Sequence, residues 1–235
     1  MIIRVIEAIQ ASAMSRSITI CGPARATIDE CPALRDLISG GHVAWLPPQD
    51  SPCSSTAACM EVMGGSDPVF ITTADHGLLN PDIISHFLGQ SAAVAADATV
   101  GLVDYHTLMQ AYPASRRTRL KFHDGSYCGC NLFTLLNDRG RQLVTLWKSV
   151  EENRKHPLRI LGTLLGPGRT LSYLLGRLTL DNALQSLQEK YQIDARAVRL
   201  PYPAAGIDVD TVADLQLVES ILSPGAGTAA DSRHG

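Results

Sequence analysis

This chain of 235 residues has no long apolar run. No stretch approaches the ~18 uninterrupted apolar residues that suggest a membrane-crossing helix, so none is expected. The opening M-I-I-R-V-I-E-A-I-Q carries Arg4 and Glu7 at amphipathic-helix spacing and lacks the pattern of a secretory leader. The six cysteines include no C-x-x-C zinc pattern. Cys128 and Cys130 would share one face of a strand, which makes no metal site by itself. Reduced thiols in a cytoplasmic protein are the expectation. Basic excess is also missing: 20 Lys and Arg stand against 23 Asp and Glu, for a net charge of −3. Such a chain has no field for a nucleic-acid backbone, so any nucleotide would be bound as a small molecule. No internal repeat is visible.

The rest is an ordinary globular balance, 45 % hydrophobic and 18 % charged. At this length it can bury one sizeable core, here residues 1–222 as a single domain. Residues 223–235 are small and polar and are expected to be disordered. Apolar spacing predicts a helix over Ile2–Ala13, a strand at Ser17–Cys21, a helix over Glu30–Ser39 and a strand at His42–Leu46. A small-residue helix follows within Ser51–Gly64, then a strand at Val69–Thr73. Asn80-Pro81 is a cap followed by a first-turn proline and opens the next helix. Val94–Val103 is β-compatible toward its end. Arg116–Tyr127 reads as a hairpin turning at Asp124-Gly125, with Asn131–Leu136 on the return strand. Asp138–Arg154 is a long helix, and Pro157–Leu187 holds two or three helices broken at Gly166-Pro167-Gly168. Ala195–Leu200 and Ala205–Val209 are late strands before a final helix over Thr211–Leu222. Strands alternating with helices predict an α/β fold with a doubly wound, mainly parallel sheet and an antiparallel hairpin excursion.

Two acidic motifs stand out, V-F-I-T-T-A-D-H at Val69–His76 and G-I-D-V-D-T-V-A-D-L at Gly206–Leu215. Each places carboxylates where an α/β sheet binds ligands, outside the carboxyl ends of its strands. Asp75 ends the first strand. Asp208 and Asp210 alternate about Val209 and so share a face. Together they could hold Mg²⁺, which takes one or two carboxylates plus phosphate oxygens. Singly, Asp75 is equally a turn residue, and for Asp210 or Thr211 simple helix capping is the more common outcome. Arg117, Arg119 and Lys121 alternate in the hairpin and could grip an anion; a charge-protected edge strand is the alternative. Arg154-Lys155-His156 poses the same question at a helix end.

These motifs resemble those of the MobA-like NTP-transferase domain family. T-T-A-D-H-G-L-L matches the family's aspartate-bearing strand and P-L-type loop, and I-D-V-D-T-V-A-D-L its closing element. Y-C-G-C-N-L-F-T-L at Tyr127–Leu135 is similar to its G-x-N-x-F strand. The resemblance implies the nucleotide-diphospho-sugar transferase-like fold and transfer of an NMP group from an NTP to a phosphorylated acceptor, with pyrophosphate leaving. It implies Mg²⁺ on Asp75 and Asp210, with Asp208 in reserve. It also implies a base edge near Ser54 and Ser55 and an acceptor near Asn131. Ser54 and Ser55 also read as the start of a helix, and Asn131 as a satisfied strand residue. Molybdopterin, cobinamide phosphate, a sugar phosphate and a polyol phosphate all suit the reaction class. The 155–187 helices could be a lid over the acceptor, a homodimer surface, a membrane-facing patch for a lipid-linked substrate, or, as the commoner case, a helix pair covering the core.

The family's opening strand and L-A-G-G-x-x-x-R-M loop, which cradles the triphosphate on backbone N–H groups, have no match. Met1–Val5 resembles the helix after that loop. Without a central strand, neighbouring backbone groups would be unpaired or the sheet rearranged. Little or no activity is therefore expected of this 235-residue form. A degenerate, non-catalytic nucleotide-binding or scaffold protein is the competing reading. A glycosyltransferase reading lacks its D-x-D after a mid-chain strand, since His76-Gly77 follows Asp75.

Overall fold

The structure is a computed structural model and describes residues 1–152 and 157–223. The basic cluster at 154–156 and the tail beyond Ser223 lie outside those residues. In chain order the elements are α1 (Ile2–Ala11), β1 (Thr19–Cys21), α2 (Arg25–Asp29), α3 (Pro32–Ser39), β2 (Ala44–Leu46), α4 (Pro52–Met63), β3 (Val69–Ile71) and α5 (Pro81–Ala93). Then come β4 (Ala98–Asp104), α6 (Tyr105–Ala111), β5 (Leu120–Phe122), β6 (Gly125–Leu135), α7 (Asp138–Glu152), α8 (Pro157–Leu174), α9 (Leu180–Tyr191), β7 (Ala195–Leu200) and α10 (Val212–Leu222).

The main sheet is mixed, in the order β3-β6-β4-β7, with β5 paired to β6. β3, β4 and β7 run one way, and β6 lies antiparallel between β3 and β4. The hairpin's return strand thus runs on into the middle of the sheet. Its turn is His123-Asp124, one residue earlier than expected, because Phe122 pairs with Gly125. β1 and β2 form a separate parallel pair. Among the described residues β1 and β3 are both edge strands, and helices bridge the two sheets. On one face α1 sends Val5, Ala8 and Ile9 into the main core beside Ile83, Phe87 and Leu132. It sends Ile6 into a second core with Ile28, Leu34 and Val43 beside β1 and β2. Residues three and four apart on a helix share a side, so one short amphipathic segment serves both cores. α4 packs on β1 and shares a cluster with Val69 and Ile71 of β3.

Local chemistry explains most boundaries. Asn80 Oδ1 accepts from the Ile83 N–H at 3.0 Å and caps α5, with Pro81 at its first position. Gly166, at φ 75°, kinks α8 at the expected Gly-Pro-Gly break. The expected strand at Ala205–Val209 is instead a 3₁₀ turn at Pro203–Gly206, closed by Ile207 N–H to Ala204 O at 3.2 Å. Proline fixes φ there and removes a ladder donor. The α8–α9 segment is a packed helix pair that leaves Leu171, Leu174 and Leu175 exposed. No helix among the described residues is long and apolar enough to cross a membrane.

Candidate functional site

Past β3 the chain turns through Thr72, Thr73 and Ala74 to Asp75, and two main-chain contacts tie this turn to the second acidic motif. Val209 N–H donates to the Asp75 carbonyl at 3.1 Å. His76, buried below, donates from Nε2 to the Ala205 carbonyl at 2.9 Å. The two motifs expected on neighbouring segments are therefore side by side. Gly206 lets this segment pack close against β4 and α6: a Cβ there would lie 2.2 Å from Leu108 Cδ1 and 2.8 Å from Val103 Cγ1. Burial lowers the His76 pKa, outweighing its bond to the Ala205 carbonyl and the nearby Asp75 charge. The neutral Nε2–H tautomer follows, with Nδ1 buried and unpaired.

One Asp75 carboxylate oxygen is buried without a hydrogen-bond partner, as are the Thr72 and Thr73 hydroxyls. Buried polar atoms are normally satisfied by the chain or by ordered water, so these three in one turn have hydrogen-bonding capacity left for water or a ligand.

The three carboxylates of the second motif have separate fates. Arg117, with a side chain only 5 % exposed, donates from Nη1 to Asp208 Oδ1 and from Nη2 to the Asp208 carbonyl. The same Nη2 donates to Asp214 Oδ1 at 2.9 Å. Asn131 Nδ2 donates to the other Asp208 oxygen at 2.8 Å. Asp208 is thus committed to internal contacts. Asp210 lies 3.8 Å from Arg117 and keeps a side chain 69 % exposed. Asp214 accepts from the Thr211 N–H and hydroxyl at 2.9 and 2.7 Å, completing a capping box at α10. Its carboxyl pKa is held below 3.8: burial pushes it up, but Thr211, Arg117 and the Asp210 N–H outweigh that.

The basic face expected over Arg117, Arg119 and Lys121 does not form. Arg117 turns inward as a strut under the acidic loop. Arg119 stays exposed, bonding the Ser126 hydroxyl at 2.9 Å and lying 5.3 Å from the Tyr105 ring centroid. Asn131 reaches Asp208 because β6 bulges: the register with β4 jumps from Val100↔Phe133 to Leu102↔Gly129. Asn131 itself adopts φ 50°, which asparagine tolerates better than most residues. Ser54 and Ser55 lie in the first turn of α4, where Ser51 is the cap and its Oγ accepts from Ser54 N–H at 3.1 Å. Ser54 also lines an open cleft of about 420 Å³ with Gln49, Glu61 and Lys148, on the α4–α7 side. That cleft includes none of the acidic residues.

Two contributors escaped sequence reasoning. Asp214 carried a local signal, the T-x-x-D spacing of a capping box. Arg117 as a strut carried none, being 91 residues from Asp208.

No group of three or more His, Cys, Asp or Glu side chains converges as a metal site among the described residues. No protein-family model matches the chain, and no curated protein does. Among solved structures it is similar to a hypothetical transferase from Thermus thermophilus, at TM-score 0.74 and 26 % identity over 92 % of this chain and 85 % of that one. It is also similar to 4-diphosphocytidyl-2C-methyl-D-erythritol synthase from Anaerococcus prevotii, at TM-score 0.53 and 10 % identity over 92 % and 86 %. The chain has the nucleotide-diphospho-sugar transferase-like fold.

Proposed function

We propose that this protein is a nucleotidyltransferase of the MobA-like class, passing an NMP group from an NTP to a small phosphorylated acceptor. The observation that carries the reading is the orphaned carboxylate oxygen of Asp75, in a turn hydrogen-bonded to the segment bearing exposed Asp210. Such a pair suits Mg²⁺, which needs only one or two carboxylates when substrate phosphates complete its shell. Asp75 and Asp210 would hold the ion; Asp208 would not, because Arg117 and Asn131 occupy it. Bound there, Mg²⁺ supplies charge that offsets the phosphate oxygens.

The chain's own part is positioning, since phosphoryl chemistry of this kind asks little covalent work of side chains. Arg117 fixes the Ile207–Thr211 loop from beneath and leaves Asp210 at the surface. Asn131 locks the second Asp208 oxygen. Ser54, which lines the α4–α7 cleft, with Ser55 next to it in the first turn of α4, would offer hydroxyls to a base edge. The test is calorimetric titration with each NTP, with and without Mg²⁺, alongside pyrophosphate release with phosphorylated acceptors. Mg²⁺-dependent binding of one NTP supports the reading.

A second reading, a non-catalytic scaffold, is favoured by one observation. Asp208 and Asp214 are fully used in an ion-pair network and a helix cap. It predicts no Mg²⁺-dependent nucleotide binding.

A further inference from the structure

The second half of α8 ends in an exposed leucine face. Leu171, Leu174 and Leu175 are 58 %, 59 % and 58 % exposed. Residues three and four apart share a side of a helix, so the three make one patch. Tyr173 packs its ring edge-to-face on Phe122 of β5, 5.7 Å between centroids, so the leucines face away from the hairpin. The helix then stops on a glycine cap. Gly176 takes φ 66°, its N–H donates to the Tyr173 carbonyl at 2.9 Å, and the Arg177 N–H donates to the Ser172 carbonyl at 2.8 Å. That turn puts exposed Arg177 just past Leu175, at a helix end where a cation is favoured. From Pro157 to Leu180 the sequence holds Arg159, Arg169 and Arg177 and no Asp or Glu, within a chain of net charge −3. Glu189 of α9 pairs with Arg169 at 2.8 Å, while Arg159 and Arg177 are exposed. Lys190 of α9 adds a further cation, donating to the Thr163 carbonyl at 2.6 Å. Of the other carboxylates on the elements packed here, Asp124 accepts from the Leu180 N–H at 3.0 Å and Asp181 is exposed.

We propose that this face seats the protein on an anionic lipid bilayer, with Leu171, Leu174 and Leu175 in the boundary between headgroups and acyl chains and Arg177 among the lipid phosphates. Apolar side chains on one side of a helix leave water on entering that boundary, and arginines beside them are drawn to negative headgroups. The planar fork of a guanidinium suits a phosphate. The attachment lies on the bilayer and does not cross it: Gly166 kinks α8, and no helix among the described residues is long and apolar enough to span. Charge decides against a second copy of the chain as the occupant. A two-fold pairing would set the patch against itself, so the arginines of one copy would approach those of the other, with no carboxylate between Pro157 and Leu180 to offset them. An anionic bilayer supplies that negative charge. With three leucines and few free cations the binding is reversible and needs both contributions, so removing either should release the protein. None of these residues belongs to the acidic loop, so the binding is independent of the nucleotidyltransferase reading.

The experiment sediments the full chain with sucrose-loaded vesicles of equal parts phosphatidylglycerol and phosphatidylcholine, and with vesicles of phosphatidylcholine alone. Wild-type protein should pellet with the anionic vesicles, stay in solution with the neutral ones, and be released as sodium chloride is raised. Leu171→Ser combined with Leu174→Ser should lower the partition coefficient at least about tenfold, and Arg177→Glu should lower it by a similar factor. The three side chains are exposed, so circular dichroism and the urea midpoint of these variants should match the wild type. Val62→Ser, at a side chain 61 % exposed on α4, should bind as the wild type does. No pelleting, equal pelleting with neutral vesicles, or full binding by either variant of the patch would overturn the proposal. So would a dimer in sedimentation equilibrium that the double leucine variant dissolves, since a second copy would then own the face.

Discussion

Replacing Arg117 with alanine should be among the most damaging single changes to the fold near the candidate site. The guanidinium is nearly inaccessible, and it faces Asp208 and Asp214, whose side chains are 22 % and 10 % exposed. Removing one partner of a buried pair typically costs about 3–5 kcal/mol, because the stranded charge remains. Asp208 keeps Asn131 and Asp214 keeps Thr211, so the lower figure, about 3 kcal/mol, applies here. For a domain of this size each kcal/mol shifts the melting point by about 2–4 °C, which gives a drop of about 6–12 °C. Urea and thermal unfolding followed by circular dichroism would measure it. Arg117→Lys should recover only part of the loss, since an ammonium lacks the planar fork that reaches Asp208 and Asp214 together. A loss below about 1 kcal/mol would refute the strut, since that is the scale of an exposed ion pair.

Gly206→Ala should cost about 1–3 kcal/mol in urea unfolding, because its methyl would press into buried Leu108 and Val103; a neutral result would mean that the packing yields. Thr211→Ala removes the α10 capping box and should cost about 1 kcal/mol, read as a lower urea midpoint. His76 has a folded pKa below its ordinary 6.5, so its contribution to stability is complete above that value and is lost as pH falls toward the folded value. Wild-type protein in EDTA should therefore lose stability as the pH falls below His76's ordinary value of 6.5, and His76→Gln should lose less; parallel curves would remove His76 from the account.

Elements with local punctuation were readable from the residues alone. Ala195–Leu200 is a strand at its expected bounds, Asn80-Pro81 opens α5, and Gly166 breaks α8. The expected strand at Ala205–Val209 rested on the alternation of Ile207, Asp208, Val209 and Asp210. The same alternation arises in an extended loop once Pro203 has turned the chain. α6 was missed because Tyr105–Ala111 is short and follows a strand directly; its one signal was Asp104, whose Oδ1 caps Thr107 N–H at 2.7 Å. The positions of Asp75 just past β3 and of Asp210 just before α10 were legible because a strand end and a helix start are local features. The commitment of Asp208 was not, because it depends on Arg117 and on the bulge that carries Asn131. Both are long-range consequences of where β6 enters the sheet.

The most direct test of the account is calorimetric titration of NTPs into wild-type, Asp75→Asn and Asp208→Asn proteins, with and without Mg²⁺. The account predicts Mg²⁺-dependent binding in the wild type and a loss of at least about tenfold in Asp75→Asn, equal to about 1.4 kcal/mol. Asp208→Asn should lower the urea midpoint while retaining the Mg²⁺ dependence. Binding that is absent, or indifferent to Mg²⁺ and to Asp75, would contradict it.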